Sequence, residues 1–477
     1  MEKTYVEHLT KMDEDFAKWY TDIVLKAELV DYGETKGTMV IRPYGYSIWE
    51  NIQEILNKKI KETGHKNVYF PTLIPESLLE KEKNHLEGFA PEVFLVESIG
   101  DKKLEEKLCL RPTSETIICT SFAKWIKSHR DLPLLINQWA NVFRAEKTTR
   151  PFLRTSEFLW QEGHTLHATK EEAIEETEKM YNVYIDFFEN YLAIPIIKGI
   201  KTDKEKFAGA ETTYTVEALM HDGKALQSGT SHYLGQNFSK PFDIKYQSKE
   251  GKLENPHQTS WGVSSRMIGG IIMTHGDDRG LKLPPKIAPV QVIIIPIAQH
   301  KEGVIDKVNE LKDILKVNFR VETDLDDKNS PGFKFNDAEL KGIPVRIEMG
   351  PKDIENNRCI VVRRDTFEKI EVSLDKIEET ITNLLEEIQV NMFNLAKENL
   401  ERKTTVVHNF DEYKKAFEKE DKLIKMMWCG NVECENKVKE DCSSTFRCIP
   451  NKQENLDTKC AICGKDAKCM VYSAKQY

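Results

Sequence analysis

The stretch that most constrains this chain is Asn141–His167, NVFRAEKTTRPFLRTSEFLWQEGHTLH. It begins apolar, turns basic, then becomes aromatic and acidic. Two runs rich in aromatic and β-branched residues flank Lys147–Arg154, which carries Pro151 and three cations. That pattern predicts strand, long loop, strand, with a loop too wide for a two-residue turn. Arg144 and Glu146 have one residue between them, and Arg154, Phe158 and Glu162 recur every four residues. Even spacing places each set on one strand face. One reading is a platform for a purine with a polyphosphate tail: Phe158 gives a stacking face and Arg144 a planar fork for a phosphate. The other is a solvated, salt-bridged edge hairpin. The hairpin alone leaves both open.

Length and charge narrow the setting. At about 150 residues per domain, 477 residues predict about three domains. A net charge of −9 excludes an overall basic footprint, so any nucleic-acid partner must be held by local patches. The polar, acidic start MEKTYVEHLTKMDEDF predicts no secretory signal. The longest apolar run, near Pro289–Ala298, falls far short of the roughly 20 residues that span a bilayer. The expectation is a soluble cytoplasmic protein without a membrane partner. Its ten cysteines are then expected to be reduced. Seven of them follow residue 428, which points to a local metal site.

Phe16, Trp19, Tyr20, Ile23 and Val24 trace one helical stripe, and Ile48, Ile52, Ile55, Leu56 and Ile60 a second that Gly64 can end. Asn67–Phe70 reads as a short strand stopped by Pro71. CLRPTSE at Cys109–Glu115 leaves a strand and enters a helix over Thr116–Lys127, with Thr113 or Ser114 as cap and Glu115 favoured in the first turn. A sharper reading lets Thr113 and Glu115 receive a substrate ammonium. Thr169 and Glu172 form a capping box opening a helix to about Tyr191. A second hairpin turns at Asp222-Gly223. Alternation places Gln227, Gly229 and Ser231 on one face, and Ser228, Thr230 and His232 on the other. In Thr259–Gly276, Ser264 or Ser265 can cap a helix whose first turn holds Arg266. A cation there opposes the helix dipole and suggests an anionic ligand. The glycines Gly262, Gly269 and Gly270 fit either close backbone approach or a helix crossing.

GLKLPPKIAP at Gly280–Pro289 is a linker by composition. Beyond it strands and helices alternate, which predicts an α/β domain with a largely parallel sheet and a long helix from Leu374 to about Glu401. No GxGxxG or P-loop is present. Lys334, Lys341, Arg346, Arg363 and Arg364 could line a basic groove with Phe333 and Phe335 for stacking, or form an ordinary solvated face. In the tail, Cys429-x4-Cys434 and Cys460-x2-Cys463 read as a four-thiolate zinc site, against buried reduced thiols. Such a site supplies on the order of 10 kcal/mol of folding energy. Cys442, Cys448 and Cys469 are additional.

These segments resemble a known family. The region Gly64–Pro75 is similar to the end of class II aminoacyl-tRNA synthetase motif 1; FRAE with Arg154, Phe158 and Glu162 resembles motif 2; GVSSR resembles motif 3. RPTSE, PFLRTSEFLWQEGHT, ALQSGTSHYLGQNFSKPF and GIPVRIEMGPKD resemble the prolyl-tRNA synthetases, in their archaeal/eukaryote-like form with a zinc-bearing tail. Ala168–Gln258 leaves no room for a large editing insertion.

The resemblance implies an α+β catalytic domain on a mostly antiparallel sheet (residues 1–283), an α/β anticodon-binding domain (284–404) and a small zinc-binding α+β C-terminal domain (405–477). It implies ATP-dependent attachment of L-proline to tRNA(Pro) through prolyl-adenylate, with Mg²⁺, structural Zn²⁺ and a homodimer. Arg144 and Arg266 are the implied catalytic residues. The implied proline site is Thr113, Glu115, Arg144, Trp160, Glu162, His164, His232 and Ser260. Arg144, Glu146, Arg154, Thr155, Phe158, Gln227, Thr230 and Arg266 are implied for ATP, and Arg346, Glu348 and Lys352 for the anticodon. The zinc ligands are implied to be Cys429, Cys434, Cys460 and Cys463. Threonyl- or glycyl-specific class II enzymes and a synthetase-like regulatory protein are the rival readings. The phosphate-side arginines Arg144, Arg154 and Arg266 argue against the last.

Overall fold

The computed structural model describes residues 9–85 and 93–477. Helix α1 (Phe16–Lys26) starts where the Asp15 side chain accepts from the Lys18 N–H, and buries Trp19, Tyr20, Ile23 and Val24. Helix α2 (Pro43–Glu62) opens on a proline, whose missing N–H costs nothing at that position. It buries Ile48, Trp49, Ile52, Leu56 and Ile60. Full burial of each such side chain contributes roughly 1.5–3 kcal/mol.

Strand β1 (Lys66–Asn67) is shorter than the expected Asn67–Phe70. The Phe70 N–H donates to the Gln138 side chain at 2.5 Å instead of to a strand neighbour, which ends the ladder. The remaining strands of the main sheet are β2 (Leu134–Phe143), β3 (Glu157–His167), β4 (Ile197–Ile200), β5 (Thr212–Leu219), β6 (Ala225–Gly235) and β7 (His257–Ser264). From the C-terminal segment come β8 (Thr404–Val406), β9 (Leu423–Trp428), β10 (Thr445–Pro450) and β11 (Cys469–Ala474). All eleven belong to one sheet in the order β8-β9-β11-β10-β4-β5-β6-β7-β3-β2-β1. Only the two outermost pairs, β8/β9 and β1/β2, run parallel.

One face of the catalytic part is covered by α4 (Lys170–Asn190), opened by the expected Thr169/Glu172 capping box. It buries Met180, Tyr184, Phe187 and Phe188 in the main core with α1, α2 and α5 (Arg266–His275). In α5, a Cβ on Gly269 would come within 2.5 Å of Leu153, so glycine lets the hairpin loop lie against the helix. The opposite face, together with α3 (Glu115–Trp125), forms the cavity described below.

The segment expected as a linker is a packed strap. Leu281, Leu283, Ile287 and Ala288 are buried, and the Leu281 N–H donates to the Leu340 carbonyl. Beyond it lies a five-stranded sheet in the order 321–323, 292–296, 345–349, 358–363, 369–373. Its first two pairings are parallel and its last two antiparallel, so it is mixed rather than largely parallel. The short helix Pro351–Glu355 joins the third strand to the fourth, which is too little chain for a parallel crossover. Helix α6 (Ile377–Arg402) covers one face and leads into β8.

Candidate active site and metal centre

Strand β3 alternates cleanly. Phe158, Trp160, Glu162 and His164 all face one cavity of about 260 Å³. Thr113, Glu115, Arg144, Gln227, Thr230, His232, Ser260 and Arg266 line the same space. Strand β3 is therefore an interior strand, paired with β2 on one side and β7 on the other, and not a solvated edge.

Arg144 and Glu146 lie just past the end of β2, and alternation no longer holds them together. The Arg144 N–H still donates to the Ser156 carbonyl at 2.9 Å. Its side chain turns into the cavity, where Nε donates to the Pro112 carbonyl at 3.1 Å. Its guanidinium carbon sits 5.3 Å from the Phe158 ring centre and 5.8 Å from that of Trp160. Burial lowers the Arg144 pKa against the opposing pull of Glu115, Glu146 and Glu162. Glu146 instead lines an adjoining recess with Lys147 and Arg154, and Arg154 Nη1 stands 3.4 Å from the Glu146 carboxylate. Thr155 lines neither space: its hydroxyl donates to the Glu157 carbonyl at 2.6 Å.

Glu162 is the most heavily partnered acid of the cavity. Its carboxylate accepts from Gln138 Nε2 at 2.8 Å, Ser114 Oγ at 2.5 Å and His164 Nε2 at 2.9 Å. Ser114 thus occupies the N-cap position of α3 without capping it, because its hydroxyl is committed to Glu162. Thr113 hydrogen-bonds the Glu115 carboxylate, so both expected ammonium-binding groups face the cavity. Burial works against a charged His164, yet the Glu162 hydrogen bond and charge outweigh it and raise its pKa.

His232 is the opposite case. Burial, then the nearby His164, pushes its pKa down to about 3, so it is neutral. Its two ring nitrogens meet Thr213 Oγ1 and Thr230 Oγ1, each at 2.9 Å, and Phe207 lies against its ring at 4.8 Å. A β-bulge at Val216/Glu217 breaks the simple alternation of β6. As a result Gln227 joins Thr230 and His232 on the cavity, while Ser231 points away to the Thr177 carbonyl.

Arg266, first residue of α5, donates from Nε to the Leu153 carbonyl at 3.1 Å and from Nη1 to the Gln227 carbonyl at 3.4 Å. Burial, then the neighbouring cations Arg154 and Arg144, lowers its pKa to about 10. Ser265 holds the N-cap position but makes no side-chain cap, whereas Ser264 Oγ accepts from the Arg266 N–H. Ser260 Oγ and Trp160 Nε1 are buried with no protein partner, leaving polar atoms for a ligand. The cavity therefore combines carboxylates, guanidiniums and flat aromatic walls. That combination suits a small ammonium compound beside a polyphosphate.

Reading the sequence missed several cavity residues. Lys201, Glu205, Phe207 and Thr213 come from the polar segment around β4 and β5, which carries no periodic signal. Gln138, which holds Glu162 from outside the lining, could have been found, since it lies directly opposite Glu162 in the hairpin register.

In the C-terminal segment, Sγ atoms of Cys429, Cys434, Cys460 and Cys463 lie within 4.8 Å of one another. Their closer separations are 3.6, 3.7 and 3.9 Å. Tetrahedral zinc with bonds of about 2.3 Å requires S···S edges of about 3.8 Å, whereas a disulfide closes to about 2 Å. The four thiols therefore fit a four-thiolate ion. Cys442, Cys448 and Cys469 stand outside the cluster.

The basic groove, one of the two readings of these cations, is not open. Arg346 pairs with Glu339 and Glu348, each at 3.0 Å, under the Phe335 ring at 4.4 Å. Arg363 pairs with Asp365 and Glu387, Arg364 with Asp277, Lys334 with Asp324 and Lys341 with Asp337. Lys334, Arg346, Arg363 and Arg364 are buried, and here each has a carboxylate that offsets its desolvation. Lys352 is exposed.

Family comparisons agree with this arrangement. The model "tRNA synthetase class II core domain (G, H, P, S and T)" matches residues 94–275, and "Anticodon binding domain" matches 291–384. The fold is that of a class II aminoacyl-tRNA synthetase. The model "Prolyl-tRNA synthetase, C-terminal" matches residues 410–477. A proline--tRNA ligase of Alkaliphilus oremlandii (strain OhILAs) is 60% identical over 476 residues, covering 100% of this chain and 99% of the relative. Another, from Clostridium novyi (strain NT), is 61% identical over 475 residues with the same coverages. The crystal structure of prolyl-tRNA synthetase from Cryptosporidium parvum, complexed with halofuginone and AMPPNP, is 43% identical, with a TM-score of 0.94 over 98% of this chain and 99% of that one. The chain belongs to the prolyl-tRNA synthetase family. No editing insertion interrupts it: only α4, β4–β6 and a small hairpin at 246–254 lie between β3 and β7.

Proposed function

We propose that this chain attaches L-proline to tRNA(Pro) in two steps within the cavity just described. A proline carboxylate oxygen attacks the α-phosphorus of ATP and the bond to pyrophosphate breaks, leaving prolyl-adenylate. The terminal ribose hydroxyl of the tRNA then takes the prolyl group and AMP departs. The observation that carries this reading is the make-up of one cavity: Glu115 and Glu162, Arg144 and Arg266, and the Phe158 and Trp160 rings all line it. In-line phosphoryl chemistry needs positioning and charge neutralisation rather than a protein nucleophile.

In this reading Thr113 and Glu115 hold the imino group, and Trp160, Glu162, His164, His232 and Ser260 wall the pyrrolidine ring. Arg144 spans the proline carboxylate and the α-phosphate, and Phe158 stacks on adenine. Gln227 and Thr230 meet the nucleotide, Arg154 and Arg266 its outer phosphates, and Glu146 and Thr155 steady the loop beneath. Mg²⁺ accompanies the triphosphate as counter-charge. The AMPPNP complex of the Cryptosporidium parvum enzyme supports an ATP site in the shared fold.

The same proposal divides the chain at about residues 284 and 405 into catalytic, anticodon-binding and zinc-binding domains. Arg346, Glu348 and Lys352 face the anticodon, and Cys429, Cys434, Cys460 and Cys463 hold a structural zinc. Exposed Tyr69, Leu73 and Trp125, close to β1 in sequence or packed on Phe70, support a homodimer interface there. No helix among the described residues is long and apolar enough to cross a membrane, in keeping with a cytoplasmic enzyme. Amino-acid-dependent pyrophosphate exchange tests the assignment. Exchange supported by proline, and not by threonine or glycine, is expected; exchange supported by either of those in preference to proline would overturn it.

A further inference from the structure

The C-terminal segment reaches into the catalytic sheet with a charged group. Strands β10 and β4 pair at Ile449↔Ile200 and Pro450↔Gly199. A Cβ on Gly199 would collide with the Ile449 carbonyl, so this seam needs glycine. Through it passes Arg447, whose side chain is 1% exposed. Arg447 Nε and Nη2 donate to one oxygen of Glu217 at 3.0 and 2.8 Å. The other Glu217 oxygen accepts from Lys201 Nζ at 2.6 Å and Thr215 Oγ1 at 2.8 Å. Glu217 is fully buried, and Lys201 is 2% exposed at its side chain.

Two details tie this triad to the reacting site. Lys201 lines the active-site cavity. Glu217 stands at the bulge between β5 and β6, opposite Gln227, and it is this bulge that turns Gln227 toward the cavity. The carboxylate is thus clamped where the strand changes phase. Of its two cationic partners, one belongs to the catalytic segment and one to the zinc-bearing segment. A buried carboxylate that lost one partner would keep its desolvation cost and shift its position.

We propose that Arg447 is a positioning residue for the nucleotide half of the active site, acting through Glu217 on the bulge that presents Gln227 and on Lys201. This rests on the activity proposed above. The zinc-bearing segment is then part of the catalytic apparatus and not an appended module. The residue touches no substrate; it fixes the wall that does.

The test uses the full-length chain with Arg447→Met and Arg447→Lys, zinc content measured and active sites counted by the adenylate burst. Per active site, R447M should raise the KM for ATP in proline-dependent exchange by about tenfold and leave the KM for proline within about twofold, the cost of a small misplacement of the wall. R447K, which keeps a cation at the carboxylate, should recover part of the loss. If R447M loses its zinc or its fold, Glu217→Gln carries the same expectation, because it removes the charge and keeps the shape. An unchanged ATP KM in a zinc-loaded variant would overturn the proposal, as would an equal rise in both KM values. Wild-type chain without proline-dependent exchange would instead refute the activity itself.

Discussion

The two cation-rich regions of this molecule follow opposite rules. In the five-stranded sheet, Arg346, Arg363 and Arg364 each meet a carboxylate within 3.1 Å. In the catalytic cavity, Arg144 and Arg266 donate to main-chain carbonyls and, among the described residues, form no ion pair. Charges of the first kind are satisfied by the fold. Those of the second kind are held in place with their countercharge left to a ligand. Arginine count along the sequence does not separate the two; the carboxylates within reach do.

Substitutions should split the regions. Arg144→Ala removes a cation that forms no ion pair with the protein, so it should lower proline-dependent exchange by about 10²–10³-fold and leave denaturant stability within about 0.5 kcal/mol. Urea unfolding alongside exchange assays would show it; a destabilised variant with normal exchange would erase the distinction. Arg346→Met should do the reverse. It strands Glu339 and Glu348, at a cost of about 3 kcal/mol, the low end of the usual range because Arg279 and Lys369 remain near them. Exchange without tRNA should be untouched. Within the cavity, His164→Gln should raise the KM for proline about tenfold with little change for ATP, the value of a charge-assisted hydrogen bond. Equal loss of ATP affinity in the Arg144 and His164 variants would collapse the proposed division between nucleotide and proline.

The smallest effect near neutrality is on pH dependence, and it should fall on the catalytic half alone. Burial lowers His167 and His221 to about 4, and His232 and His275 to about 3. The unfolded chain, with histidines near 6.5, then binds more protons between about pH 4 and 6.5. Stability from these groups is complete above about 6.5 and falls as the pH drops through that window. His164, shifted upward, has the opposite sense: its contribution is complete below 6.5 and is lost as the pH rises past its raised pKa. The five-stranded sheet's segment has only exposed His300. Hydrogen exchange at about pH 5 and pH 7 should therefore show acid loosening around α5 and β6 and none around residues 345–363.

Much of the site was legible because strand alternation is a two-residue rule and β3 obeys it through Phe158, Trp160, Glu162 and His164. The caps at Thr169 and the turn at Asp222-Gly223 carried equally local signals. What escaped depended on contacts distant in sequence. The bulge that re-phases Gln227 is invisible to alternation, and Ser114 leaves its cap because a glutamate 48 residues later claims the hydroxyl. The antiparallel half of the second sheet was hidden by a turn too short to look like a connection. Paired arginines looked like a groove for the same reason: Asp277 and Arg364 are far apart in the chain.

The seam between β4 and β10 also has a consequence in time. During synthesis β4 emerges about 245 residues before its neighbour, which at ordinary translation speeds of about 5–20 residues per second is a delay of roughly ten seconds to a minute. Throughout it, the edge Ile197–Ile200 offers unpaired main-chain groups to any passing strand. Gly199 at its centre and Lys198 beside it make that edge a poor template for strangers while the last strands are still being made.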